Sequence, residues 1–215
     1  RALKVAVFTF VFCAGVNAQT QSGDDLIVQG KAQMAAALKQ EQPDDLLNAR
    51  VHFERLLPGK SREALVHYYI AYCDYRYVNA FTRRQNQPGE TIAKYLDDAI
   101  AHLEAAVQAD AKFAEAHALL ASCYGQKIGG NPMLGMTLGA KSSEAMGTAL
   151  RLEPENPRIV MLDAISKYYT PPTFGGDRDL ALAGFNRSAA LFEKKSSVDP
   201  LQPDWGHAEA YAWVG

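Results

Sequence analysis

Strand-like alternation of apolar and polar residues is missing from this 215-residue chain beyond residue 24, and β-branched residues are sparse there, which argues against a sheet. Cysteine is scarce: three residues are too few for a disulfide scaffold. An excess of one charge is missing as well. Twenty-two Lys and Arg face 24 Asp and Glu, a net charge of -2, so nothing marks a nucleic-acid partner. No apolar run reaches the roughly 20 residues that a membrane-spanning helix needs. Neither G-x-S-x-G nor H-E-x-x-H occurs, which removes the nucleophile elbow and the zincin helix. What remains is 48% apolar and 21% charged, the composition of a folded chain.

Residues 1–18 differ from the rest. Arg1 and Lys4 are their only charges, and Val5 to Val16 is apolar except for Thr9 and Gly15. Val16-Asn17-Ala18 then precedes a polar stretch from Gln19 to Asp25. This layout predicts a secretory signal peptide cut after Ala18. Cys13 follows Phe12, where a lipoprotein signal wants a small residue, so acylation is not expected. Removal of 1–18 takes two cations and no acid, leaving 20 basic against 24 acidic residues and a charge of -4. The mature chain, 19–215, is expected to be periplasmic or secreted.

Beyond residue 24, apolar residues recur every three or four positions and Ala is abundant, which reads as helix. Breakers divide the chain at Pro43, Pro58-Gly59, Pro88-Gly89, Gly129 to Pro132, Pro154, Pro157, Pro171-Pro172, Gly175-Gly176 and Pro200 to Pro203. They predict helices near 24–40, 45–57, 62–79, 91–109, 113–127, 140–152, 157–169, 177–195 and from 206 on. The succession repeats. His67 to Cys73 aligns with His117 to Cys123, sharing the His, an aliphatic-Ala pair and the Cys. Ala114-Glu115-Ala116-His117 aligns with Ala208-Glu209-Ala210-Tyr211. Intervening helices carry Ala49, Phe53 and Leu56, Ala99, Leu103 and Ala106, Ser142, Met146 and Ala149, and Ala181, Phe185 and Ser188 at steps of four and three.

These residues resemble the tetratricopeptide repeat, best over 114–154: His117, Leu120-Ala121 and Tyr124, then Ser142, Met146 and Ala149, and Pro154 as the stop. Corresponding points at His67, His117, Val160 and Tyr211 are spaced by 50, 43 and 51 residues, longer than the family's unit, so insertions are expected at Tyr77 to Glu90, Gly125 to Ala140, Thr170 to Asp177 and Lys194 to His207. Asp74 and Lys167 stand where the family has an aromatic. The resemblance extends to a group of secreted bacterial repeat proteins with no assigned chemistry. It implies an all-α fold: an α-solenoid of stacked antiparallel helix hairpins in a right-handed superhelix, with four pairs and the first helix of a fifth, so the chain is expected to be a fragment. Ala71, Ala121 and Ala164 would sit where paired helices cross.

Gly135 to Ser142 nearly spells a phosphate loop, but Ala140 replaces a glycine and a helix precedes it, so a connecting loop with Ser142 or Ser143 as N-cap is the expectation. His67 and Cys73, six apart, point to different faces of one helix and cannot chelate together. No metal or cofactor is expected from His52, His67, His102, His117 and His207. Cys73 and Cys123 are expected as buried thiols, because helices pack about 8–10 Å apart and a disulfide needs Cα atoms within about 7 Å. Asp177 reads as a helix cap.

One feature rises above this background. Tyr68, Tyr72 and Tyr75 form a helix stripe beside Arg76. The resemblance implies that this stripe, with Glu115, Ser122, Arg158, Tyr168 and Tyr169, lines a concave groove. The alternative is a stripe packed under an insertion such as Thr82 to Glu90 or Gly129 to Thr137. Trp205 and Trp213 are expected to pack between repeats. The expected function is a non-catalytic scaffold holding a peptide or partner protein in that groove. The alternative is a small-ligand receptor whose groove is roofed by the insertions.

Overall fold

The computed structural model describes residues 21–40, 42–84, 89–194 and 199–215, the side chains of 81–84 excepted. The expected signal peptide, its cut after Ala18, and Cys13 lie outside the described residues. Among the described residues there are nine α-helices, three short 3-10 turns and no strand. The helices are α1 (Gly23–Lys39), α2 (Pro43–Glu54), α3 (Glu63–Arg84), α4 (Gly89–Ala109), α5 (Ala114–Gly130), α6 (Gly135–Leu152), α7 (Pro157–Tyr169), α8 (Arg178–Lys194) and α9 (His207–Val214). Each packs chiefly on its sequence neighbour, giving the pairs α1–α2, α3–α4, α5–α6 and α7–α8, with α9 against α8. First helices also touch across pairs, α3 with α5 and α5 with α7, so they form one inner layer. This is the expected all-α stack of helix hairpins.

Local chemistry sets the helix ends. Ser22 accepts from the Asp25 amide at 3.2 Å while Asp25 accepts from the Ser22 amide at 3.2 Å, a reciprocal cap on α1. The Asn156 side chain caps α7 ahead of Pro157, whose missing amide would be unpaired there anyway. Asp177 accepts from the amides of Asp179 and Leu180 at 2.9 Å each, the cap expected for α8.

Two expected insertions are mostly helix. α3 runs to Arg84 rather than 79, because Tyr77 and Val78 are buried and Tyr77 meets Tyr95 of α4 at 4.5 Å between ring centroids. α6 starts at Gly135 rather than 140, with Leu138 packed on the core, so the link after α5 shrinks to a 3-10 turn at Pro132–Leu134. Ser142 and Ser143 are therefore inside a helix and cap nothing. Ser142 Oγ instead donates to the Ala121 carbonyl at 2.9 Å, marking the α5–α6 crossing at the small residue expected there.

Close approach explains the small residues. A Cβ on Gly184 of α8 would lie 2.8 Å from the Ala164 Cβ of α7. Asp74, the residue out of pattern, is fully buried on α3. Its Oδ1 lies 2.8 Å from Arg50 Nε of α2, an ion pair whose angle leaves both carboxylate oxygens without a hydrogen bond. Burial raises the Asp74 carboxyl to about 7, and the Arg50 charge opposes the rise only in part.

Gly184→Val is expected to lower the unfolding free energy by about 1–3 kcal/mol through overpacking. Gly139→Ala, a helical site where a new Cβ meets nothing, should raise it by about 0.5–1 kcal/mol. Urea titrations of both variants check the pair.

A raised carboxyl binds its proton more tightly in the folded state than in the unfolded state. Its contribution is therefore complete below the unfolded value near 3.8 and is lost as pH rises through about 7. Asp74→Asn should gain stability relative to the parent between pH 4 and pH 8. Denaturant midpoints across that range that run parallel would overturn this reading.

Candidate functional site

The inner layer of first helices gathers most of the expected site residues, and it is covered. Tyr68 and Tyr72 are 0% exposed and Tyr75 is buried as well. The cover comes from neither of the insertions named as alternatives but from a third, the link between α8 and α9. Its residues 199–206 lie across the stripe. Trp205 stacks on Tyr72 with centroids 4.8 Å apart and planes 22° apart, and its indole N–H donates to Tyr68 Oη at 2.9 Å. Leu201 joins the main core. So Tyr68, Tyr72 and Tyr75 do not wall an open groove; they are core beneath a strap. Burial pushes all three phenols above the ordinary range.

The strap is held mainly by its backbone. Lys31 of α1, only 6% exposed, donates to the carbonyls of Pro200 at 2.6 Å and Gln202 at 2.7 Å, with Asp204 at 3.3 Å. Tyr69 Oη donates to the Leu201 carbonyl at 2.6 Å. Arg158 donates to the Trp205 carbonyl at 3.2 Å. Gly206 ends the strap at φ +102°, where a Cβ would stand 2.9 Å from the Phe192 ring, so only glycine fits.

The expected polar handles are committed inside the protein. Glu115 and Arg158 form a buried pair at 2.7 Å, and Glu115 Oε1 also accepts from Asn156 at 2.6 Å. Glu115 Oε2 is buried without a hydrogen-bond partner among the described residues. Arg76 donates to Tyr72 Oη at 2.9 Å and pairs with Glu209 of α9. Ser122, half-buried, donates back to the Ala118 carbonyl of its own helix.

Tyr168 and Tyr169 behave differently. They end α7 and are 37% and 69% exposed. They meet at 5.1 Å between centroids, Trp213 of α9 lies 5.7 and 6.1 Å from them, and the Arg178 guanidinium stands 5.3 Å over the Tyr168 ring. The nine residues expected on one surface are therefore divided between a sealed inner face and an exposed tyrosine pair. Lys31, Tyr69 and Arg178 were not among the expected site residues, whereas Trp205, expected to pack between repeats, does so between α3 and α7. The segment 199–206, with two prolines and a tryptophan, was the available signal; a lone lysine on α1 offered none.

Cys73 and Cys123 are buried free thiols, raised by burial. Among the described residues no group of three or more His, Cys, Asp or Glu is placed to hold a metal ion, and no helix is long and apolar enough to cross a membrane.

The molecule is thus a helical-hairpin solenoid with a sealed inner face. Structural comparison gives it a neighbour at that level: the HusA haemophore from Porphyromonas gingivalis, with a TM-score of 0.72, 24% identity, and coverage of 91% of this chain and 92% of that one. A MamA RS-1 ArsTM double mutant matches at a TM-score of 0.32 and 20% identity over 79% of this chain and 96% of that one, too distant for argument. No protein-family model and no curated protein matches the sequence.

Tyr72→Ala should cost about 3–5 kcal/mol of stability, the range for deleting a buried aromatic ring. Guanidinium unfolding reads it out. A loss under about 0.5 kcal/mol, usual for surface positions, would mean that the strap does not seal this face.

Proposed function

We propose that this chain is a non-catalytic binding protein of the bacterial envelope whose ligand is a small flat molecule rather than a peptide threaded through the concave face. The closed inner face carries this reading. The strap lies where a threaded peptide would run, while Tyr168 and Tyr169 stay exposed beside Arg178, backed by Trp213, which is half-buried and stacked on Phe185. Ring faces suit a planar aromatic ligand, and a guanidinium suits its carboxylates. The fold likeness to a haemophore over nine-tenths of both chains makes haem the first ligand to try. Haem meets the chemistry available: aromatic faces for the macrocycle, Arg178 for the propionates, and a tyrosine hydroxyl of the kind that can ligate haem iron.

Absorbance titration with haem tests the proposal. The parent chain should shift the Soret band and saturate at one equivalent. The double variant Tyr168→Ala, Tyr169→Ala should weaken binding at least ten-fold with an unchanged melting temperature. Haem affinity equal in the two proteins would refute the placement, and no shift in the parent would refute the ligand.

A second reading, a peptide or partner segment in the concave face, has its own support. Lys31, Tyr69 and Arg158 grip carbonyls, which every peptide has. Under this reading a Trp205→Ala chain would take up a synthetic 199–206 peptide, as fluorescence anisotropy would detect.

A further inference from the structure

A second meeting of chemistry-bearing groups lies away from both faces. His67 of α3 and His102 of α4 approach head-on, Nδ1 to Nδ1 at 2.8 Å, with ring centroids 5.0 Å apart. Both rings are half-buried. Both are held below the ordinary histidine value. Burial is the main cause for each, and for His102, brought to about 4, the His67 ring and the Arg50 charge add to it. Glu63 opposes the shift at His67 and Asp98 opposes it at His102. The pair is therefore neutral at pH 7, the form in which imidazole is a ligand.

We propose that His67 and His102 form a two-imidazole site for a borderline divalent d-block ion such as Zn²⁺. Metal-nitrogen bonds of about 2.0–2.1 Å at a tetrahedral angle put the two nitrogens about 3.3–3.4 Å apart. The rings need to separate by only about 0.5 Å. In the hydrogen-bonded pair, one ring carries its proton on Nδ1. When the ion enters, that proton moves to the same ring's Nε2 through water, so both Nδ1 lone pairs face the metal and no net proton is released at neutral pH. Water fills the remaining positions, since no third described ligand completes a cluster.

Nearby carboxylates favour a cation at His67, through Glu63, and at His102 Asp98 offsets part of the Arg50 charge. Glu63 stands one turn before His67 on α3, and Asp98 one turn before His102 on α4. Arg50 at the same crossing is already paired with Glu54, Asp74 and Asp98, and Lys94 with Asp98. These ion pairs offset part of the Arg50 charge at the crossing. The site lies on the α3–α4 pair, so it is independent of the ligand reading above.

The test uses Zn²⁺ alone on the full chain at pH 7.5, by calorimetry and by imidazole ¹⁵N NMR. One equivalent should bind, shifting the Nδ1 resonances of His67 and His102. His67→Gln and His102→Gln should each weaken binding more than ten-fold, while His117→Gln should leave it unchanged. The NMR arm needs no variant, so a misfolded substitution leaves the answer intact. Absence of binding, binding that leaves the His67 and His102 resonances in place, or equal affinity in folded variants would overturn the proposal.

Discussion

The architecture depends on one buried ammonium. Lys31 sits near the start of the chain and is almost fully enclosed, and a buried charge is costly unless paired and hydrogen-bonded. Its three partners, the carbonyls of Pro200 and Gln202 and the Asp204 carboxylate, all come from the strap near the other end. Removing the strap would strand the lysine, and removing the lysine would leave strap carbonyls short of a donor. Solenoids of repeats are usually stabilised between nearest neighbours alone. Here a contact spanning 169 residues joins the first pair to the last link, so the two ends of the array are tied across the inner face.

The same strap decides what the tyrosines are. An uncovered Tyr68-Tyr72-Tyr75 stripe would be a large apolar patch, the usual mark of an interaction surface. Trp205 and Leu201 convert it to core, and the indole N–H satisfies a hydroxyl that would otherwise be desolvated in that core. The Glu115–Arg158 pair follows the same logic. Arg158 binds both the buried carboxylate and the Trp205 carbonyl, so a charge pair that could have been a ligand handle instead fastens the cover.

The helices were legible because their signals are local: three-to-four spacing, Pro and Gly stops, and a cap such as Asp177. The pairing was legible through Ala121 and Ala164, since close crossings need small residues. The start of α6 was misread for the opposite reason. Gly135 and Gly139 argue locally against helix, yet the burial of Leu138 and the Ser142–Ala121 contact outweigh a propensity penalty of about 1 kcal/mol per glycine. The site was half legible. Periodicity identified the tyrosine face, but whether such a face meets solvent depends on where a segment 130 residues later returns. Nothing in the spacing of Tyr68, Tyr72 and Tyr75 encodes that. Lys31 was illegible because a single lysine on an amphipathic helix looks like any solvated charge until its partners are placed.

The sealed face also weighs the two binding readings against each other. A peptide entering the concave face must displace a strap held by at least five hydrogen bonds and by two buried apolar side chains. Since a ligand shifts an equilibrium only by its differential affinity for the two states, such a peptide would have to replace each of those contacts before gaining anything. The occupant that does so most closely is a copy of the strap itself. A flat ligand at Tyr168 and Tyr169 meets no such competitor, because those two rings are exposed with the strap in place. The open cluster therefore needs no conformational work before binding, whereas the groove does. That difference, rather than the number of aromatic residues on each surface, favours the proposed ligand site at the aromatic cluster over the proposed peptide site.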